Sequence, residues 1–209
     1  MEPEHILKPE EFHHLMKAAE KSRDRLILLL LGGAGLRVSE LVRIRVGDLN
    51  LEEGCLYIGS NSAQGERVRT VALPRPVISE LRHFLAGGNA ERGYLFPGRT
   101  SGHISVRRIQ VVLNSVAERS GLQITKYLDS AGRRRRRITP RLLRHSFAVW
   151  SLDSGVPILD LKEQLGHSTL LSTGIYVQAA HQNQGHSYLQ PRFESKLLPR
   201  EDSAGEEVM

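Results

Sequence analysis

The chain has 209 residues, a formal net charge of +6 and a pI of about 9.8, with 40% apolar residues. This length and composition are typical of a soluble protein with one sizeable core or two small ones. A single cysteine, Cys55, excludes a disulfide framework and a cysteine-rich zinc site. The longest apolar run, Leu26–Leu31, is too short to span a bilayer. We therefore expect a cytoplasmic protein that acts away from membranes.

The basic residues indicate an anionic partner. Only six of the 29 Lys and Arg residues are lysines, and arginine binds phosphate through a planar fork of N–H donors. A GC-rich genome explains the same bias equally well. Five arginines are consecutive: Arg133, Arg134, Arg135, Arg136 and Arg137. We expect this run to contact a nucleic-acid backbone, although such runs are also common in solvated loops.

The predicted elements are mostly helical. Apolar residues at helical spacing predict helices over Lys8–Ala19, Asp24–Leu31, Val38–Arg45, Pro76–Leu85, Ser105–Arg119, Pro140–Asp153 and Ile158–Leu165. Cys55–Ile58 and Val68–Leu73 are predicted strands around a polar turn. The sequence therefore predicts a mainly α fold with a small antiparallel β-sheet, as one domain over residues 1–194. We expect the acidic tail, residues 195–209, to be disordered.

Local signals predict where several of these helices begin and end. Thr139 is placed to cap a helix whose first residue is Pro140. Gly166 is expected to end the following helix. Ser168 is expected to cap a last helix that carries Tyr176, nine residues after His167.

Two arginines, a histidine and a tyrosine indicate chemistry on a phosphodiester. Arg37 and Arg144 are permanently charged and could bind the phosphate oxygens, where the transition state gathers charge. His167 could donate to the phosphate or move a proton, and nearby positive charge should make the Tyr176 phenol a better nucleophile. Glu40, one helical turn after Arg37, could hold that guanidinium in position.

These residues lie in segments that resemble the catalytic domain of the tyrosine recombinases, the phage integrase family. The matching segments are Gly35–Leu41, Pro140–Ala148 and Leu165–Ser168, followed by Tyr176, and the resemblance covers about residues 8 to 180. It implies catalytic roles for Arg37, Arg144, His167 and Tyr176, and also for Arg141, which precedes Arg144 by one turn.

The resemblance also implies the reaction and the partners. Tyr176 would attack double-stranded DNA, form a 3′-phosphotyrosyl link and release a 5′-hydroxyl. Strands would then rejoin without ATP, metal or cofactor, in integration, excision or inversion. The implied assembly is a tetramer on DNA, associated with the nucleoid.

Three features depart from the family pattern. Arg141 stands where the family usually has histidine. The predicted hairpin lacks the usual lysine that protonates the leaving oxygen. Asn61 falls near the place of that lysine, and Arg67 or Arg69 could substitute for it, both arginines also being expected DNA contacts. Such recombinases also usually have a separate N-terminal DNA-binding domain, whereas this chain is expected to consist of the catalytic domain.

These departures from the family pattern leave open an alternative function of a different class. The chain would then be a catalytically weak or inactive DNA-binding accessory or regulatory protein with the same fold. An RNA-binding protein that uses the arginine run is a third interpretation. His145 is expected to pack or bond locally rather than to act in catalysis. No histidine pair has an evident third ligand, so no metal site is predicted.

Overall fold

The computed structural model describes residues 6–59, 69–88, 93–98, 102–122, 127–128, 134–135 and 138–182. Within these ranges the elements are α1 (Pro9–Ala18), α2 (Ser22–Gly32), α3 (Val38–Leu41), β1 (Leu49–Asn50), β2 (Cys55–Ile58), β3 (Arg69–Ala72), α4 (Arg75–Ala86), α5 (Val106–Arg119), β4 (Tyr127–Leu128), β5 (Arg134–Arg135), α6 (Pro140–Asp153), α7 (Ile158–Leu165) and α8 (Leu171–Gln182). The mainly α fold with a small antiparallel sheet is confirmed.

Helix α2 is the centre of the main core. Its residues Leu26, Ile27, Leu28, Leu30 and Leu31 are all fully buried, so beyond its polar first turn, Ser22–Arg25, the helix has no polar face. A helix that is apolar all round must be covered on every side. Accordingly, α2 packs against α1, α3, α4, α5 and α6.

A smaller core lies between α6, α7 and α8. Phe147 and Val149 of α6, Leu161 and Leu165 of α7 and Tyr176 of α8 form one buried cluster. The ring of the predicted nucleophile is therefore part of the packing that holds the last helix in place.

The sheet has the order β1-β2-β3, and both pairs are antiparallel. The hairpin β2–β3 was predicted, whereas the two-residue β1 was not. Strand β3 packs against α7 through the buried Gln164. The Gln164 amide nitrogen donates to the carbonyls of Ala34 and Ala72, and its oxygen accepts the Ala72 N–H. This side chain joins the α2–α3 turn, the sheet and α7.

Two predicted helix boundaries were wrong. The helix expected to reach Arg45 ends at Leu41, because Ile44 and Val46 use their backbone groups to bond the segment 93–95. The last helix begins at Leu171, and the Leu170 carbonyl accepts the first N–H bonds, so Ser168 is not its cap. The Thr139 cap and the end of α7 at Gly166 are present as predicted.

Candidate active site

Two glycines let the backbone of the site come close to its side chains. Gly35, before α3, has φ +70°, and an added Cβ would overlap the Phe147 ring. Gly166, after α7, has φ +62°, and a Cβ there would lie 2.5 Å from the Arg69 Nε atom. Both positions are in the left-handed region that favours glycine. These two turns supply backbone carbonyls that orient the arginines of the site.

Arg37 precedes α3 and remains accessible, with 45% of its side chain exposed. Its Nη2 donates to the Gly166 carbonyl at 2.9 Å, and its Nη1 donates to Glu40 Oε1 at 3.2 Å. The other Glu40 oxygen accepts the Arg37 backbone N–H at 2.8 Å, which caps the helix. Glu40 therefore contacts the Arg37 guanidinium as its spacing predicts.

Arg144 of α6 is buried, with only 8% of the residue exposed. Its Nη1 donates to the Gly35 carbonyl and its Nη2 to the Leu165 carbonyl, both at 2.6 Å. Burial and the neighbouring Arg37 lower the Arg144 pKa to about 10, and Glu40 opposes that shift. The guanidinium is still charged at neutral pH and is held in one orientation.

Arg69, expected to contact DNA, lies in the same cluster. Its Nη2 donates to Glu40 Oε2 at 2.8 Å and its Nη1 donates to the Gln164 carbonyl, and 17% of its side chain is exposed. Glu40 Oε2 is also 3.9 Å from Arg144 Nη1. Three guanidinium groups thus share one carboxylate, and their net positive charge favours an anion.

His167 is half-buried beside Arg144. Arg144 Nη2 donates to His167 Nε2 at 3.3 Å, because an arginine N–H can only donate. The proton of the neutral ring is then on Nδ1, which donates to Thr173 Oγ1 at 3.0 Å. Burial, followed by the charges of Arg144, Arg37 and Arg69, lowers the pKa of His167 to about 4. The imidazole is therefore neutral at neutral pH in the DNA-free protein.

Tyr176 of α8 lies against this cluster and is 2% exposed. Its ring stacks on His167, with ring centroids 6.3 Å apart and planes 19° from parallel. Burial raises the pKa of the Tyr176 phenol, while the charges of Arg144, Arg141 and Arg37 oppose that rise. The charge effect expected from the sequence is present, since the arginines lower the phenol pKa, but in the DNA-free state desolvation of the phenolate outweighs it.

Arg141 and His145 form a second contact to the nucleophile. Arg141 is exposed, unlike Arg144 one turn later, and its Nε donates to His145 Nε2 at 2.8 Å. His145 Nδ1 is 2.6 Å from the Tyr176 hydroxyl. His145 was expected to have only a local role, so sequence reasoning missed this contact. Its position four residues after Arg141, on the same helix face, was the available signal.

Several predicted residues lie outside the described ranges. These are Asn61, Arg67, Arg133, Arg136, Arg137 and the tail 195–209. Arg134 and Arg135 form β5, which pairs with β4, but only their backbone is described.

Two features are absent from the part of the chain that the structure describes. The described residues contain no group of three or more His, Cys, Asp or Glu side chains placed to hold a metal ion. No helix among them has the length and apolar character needed to cross a bilayer.

Known proteins resemble this chain in sequence. Residues 5–183 match the phage integrase family. The chain is 33% identical over 162 residues to tyrosine recombinase XerA of Pyrococcus furiosus, covering 76% of this chain and 51% of that protein. It is 35% identical over 156 residues to tyrosine recombinase XerC of Xylella fastidiosa, covering 74% and 48% respectively. The chain thus spans about half the length of the curated relatives it matches.

Solved structures share the fold. A crystal structure of XerA recombinase aligns with a TM-score of 0.70 at 24% identity, covering 89% of this chain and 68% of that one. The XerH site-specific recombinase bound to its palindromic difH substrate aligns with a TM-score of 0.65 at 21% identity, covering 85% and 50%. With the sequence match over residues 5–183, these findings establish that the chain belongs to the phage integrase family.

Proposed function

We propose that this chain is the catalytic part of a site-specific DNA recombinase that cuts and rejoins strands through Tyr176. The observation that carries the proposal is the meeting of Arg37, Arg144, His167 and Tyr176 at one positively charged site. Membership of the phage integrase family supports it, as does the fold shared with the XerH site-specific recombinase, whose structure holds its difH substrate.

The reaction requires a nucleophile that attacks the phosphorus and positive charge that stabilises the transition state, and these side chains supply both. The Tyr176 phenol releases its proton to solvent and its oxygen attacks the phosphorus. The bond to the 5′-oxygen breaks, that oxygen takes up one proton, and a 3′-phosphotyrosyl ester forms. Arg37 and Arg144 carry fixed positive charge toward the non-bridging oxygens, where the transition state gathers negative charge. The bound phosphate raises the pKa of His167, so that the ring can become a donor to it. Rejoining reverses these steps, because the ester conserves the bond energy.

DNA binding must change the environment of the nucleophile. Tyr176 is buried and its phenol pKa is raised in the DNA-free protein. A phosphate that docks on Arg37, which is exposed, would approach the site from the solvent side. Attack therefore requires the phenol to become accessible when DNA is bound.

The leaving 5′-oxygen needs a proton from a group that is not yet identified. Arg69 donates to Glu40 and to a backbone carbonyl, and an arginine is a poor acid because its guanidinium holds its proton tightly. We assign Arg69 a role in holding the guanidinium cluster. Arg67 stays a candidate to substitute for the usual lysine and Lys126 is the next residue to mutate, and slow cleavage is expected if neither supplies a proton.

The arginine run 133–137 is proposed to contact the DNA backbone without reading sequence. Replacing all five arginines with glutamine should weaken binding to specific and random DNA about equally. The slope of log K against log salt should become flatter, because fewer counterions are released. An unchanged slope would show that the run is a solvated loop.

The proposed activity is tested with a nicked suicide DNA substrate and a denaturing gel. The wild-type protein should form a covalent adduct, with EDTA present or absent, and Tyr176→Phe should bind the same DNA without forming one. Sedimentation of the protein with DNA would show whether a tetramer assembles. If the wild-type protein binds DNA but forms no adduct, the chain is instead a non-catalytic DNA-binding accessory protein.

A further inference from the structure

We propose that His145 is a positioning residue for the nucleophile and that Arg141 acts through it. This inference rests on the proposed function, since it assigns a role within that reaction. The two contacts that carry it are Arg141 Nε to His145 Nε2 at 2.8 Å and His145 Nδ1 to the Tyr176 oxygen at 2.6 Å.

The arginine determines which nitrogen of His145 carries the proton. Arginine N–H groups can only donate, so Nε2 must accept from Arg141. A neutral imidazole has one proton, which is then on Nδ1. Nδ1–H consequently donates to the Tyr176 oxygen. The opposite tautomer would place two N–H donors against each other at the Arg141 contact.

This direction of donation sets what His145 can do. A ring that donates through Nδ1 cannot at the same time accept the phenol proton there, so His145 is not the base in this arrangement. It instead holds the Tyr176 oxygen in place and stabilises negative charge on it. The contact opposes the burial that raises the phenol pKa.

The same geometry gives Arg141 a role that does not require contact with DNA. Arg144 donates to the carbonyls of Gly35 and Leu165 inside the site, whereas the Arg141 guanidinium lies on the exposed side, against His145. Arg141 would therefore affect cleavage by holding the His145 tautomer.

The tautomer can be measured without any activity. Long-range ¹H–¹⁵N spectra of histidine-labelled protein distinguish the two neutral forms, and the His145 signal is assigned by its loss in His145→Asn. We expect the Nδ1–H form in the wild type and a shift toward the Nε2–H form in Arg141→Met, but not in Arg82→Met, an exposed arginine of α4. An Nε2–H form in the wild type would overturn the proposal.

Cleavage of pre-bound suicide DNA tests whether the hydrogen bond from His145 to the Tyr176 oxygen increases the rate of attack. The amide of asparagine places a donor near the position of Nδ1, whereas leucine has none. His145→Asn should stay within a few-fold of wild type, and His145→Leu should cleave about 10- to 100-fold more slowly with unchanged DNA affinity, the range for losing one hydrogen bond to a charged oxygen. His83→Leu, an exposed histidine of α4, is the matched control.

Equal losses in the Asn and Leu variants, or no loss in the Leu variant, would contradict the proposal. If His145→Leu does not fold, the cleavage rate of His145→Asn and the histidine spectra of the wild type and Arg141→Met still test the proposal. If the wild-type protein forms no adduct at all, the proposed function fails, while the tautomer measurement still tests the contact.

Discussion

Removing the charge of Glu40 should loosen the whole arginine cluster. This carboxylate accepts from the side chains of Arg37 and Arg69 and lies 3.9 Å from Arg144. Glu40→Gln keeps the size of the side chain and one carbonyl acceptor but leaves three guanidinium groups without a counter-charge. The variant should therefore be less stable and, at the same time, more attractive to anions.

The loss of unfolding free energy in Glu40→Gln depends on how deeply Glu40 and its arginine partners are buried. Exposed fractions are 12% for the Glu40 side chain, 17% for Arg69 and 9% for Arg144, whereas Arg37 is 45% exposed. Breaking a buried pair costs about 3–5 kcal/mol and an exposed pair at most about 1 kcal/mol. Since Gln can still accept one bond, we expect a loss of about 2–3 kcal/mol, or a fall in Tm of about 4–12 °C.

Urea unfolding of the two proteins measures this difference. Glu80→Gln is the matched control, because Glu80 is 16% exposed and accepts from one arginine, Arg25, and from Ser22. It should lose about 1 kcal/mol. Inorganic phosphate should stabilise Glu40→Gln more than the wild type, because the anion supplies the missing negative charge. If the two variants lose the same stability and respond equally to phosphate, Glu40 does not hold the cluster.

Three further predictions concern the chemistry. Arg37→Ala and Arg144→Ala should each lower the rate of cleavage of bound DNA by about 10²-fold or more, measured as adduct formation in single turnover. Of the two variants, only Arg144→Ala should also lower Tm appreciably, because Arg144 is buried. Cleavage rates within a few-fold of wild type would show that the phosphate binds elsewhere. Because the folded pKa of His145 and of His167 is about 4, below the unfolded value near 6.5, the unfolded state binds protons first as the pH falls. The free energy of unfolding should therefore decrease from about pH 6.5 to pH 4, by more than about 1 kcal/mol in total, and replacing both histidines with asparagine should flatten that slope. DNA with a bridging 5′-sulfur should be cleaved much faster than normal DNA, because a thiolate leaves without a proton; equal rates would show that protonation is not limiting.

Much of the fold could be predicted because its signals are local. The apolar run of α2, the Thr139 cap with Pro140 and the stop at Gly166 each depend on a few neighbouring residues. The end of α3 could not be predicted in this way. It depends on backbone bonds between residues 44–46 and the distant segment 93–95.

The same distinction between local signals and distant contacts applies to the candidate active site. Spacing identified Glu40 as the partner of Arg37, since the two are one turn apart. The role of Arg69 depends on its distance from Glu40 and Gln164 across the fold, and no local pattern shows it. The arginine charges that lower the Tyr176 pKa could be expected from the sequence, whereas the burial that outweighs them could not.

The most direct test of the proposed reaction is to locate the DNA-linked residue. The covalent complex formed on suicide DNA would be digested with trypsin and nuclease, and the phosphorylated peptide sequenced by mass spectrometry. The chain has five tyrosines. We expect the phosphate on Tyr176 alone, through a 3′-linked nucleotide. A phosphate on Tyr57, Tyr94, Tyr127 or Tyr188, or a 5′ linkage, would contradict the proposed reaction.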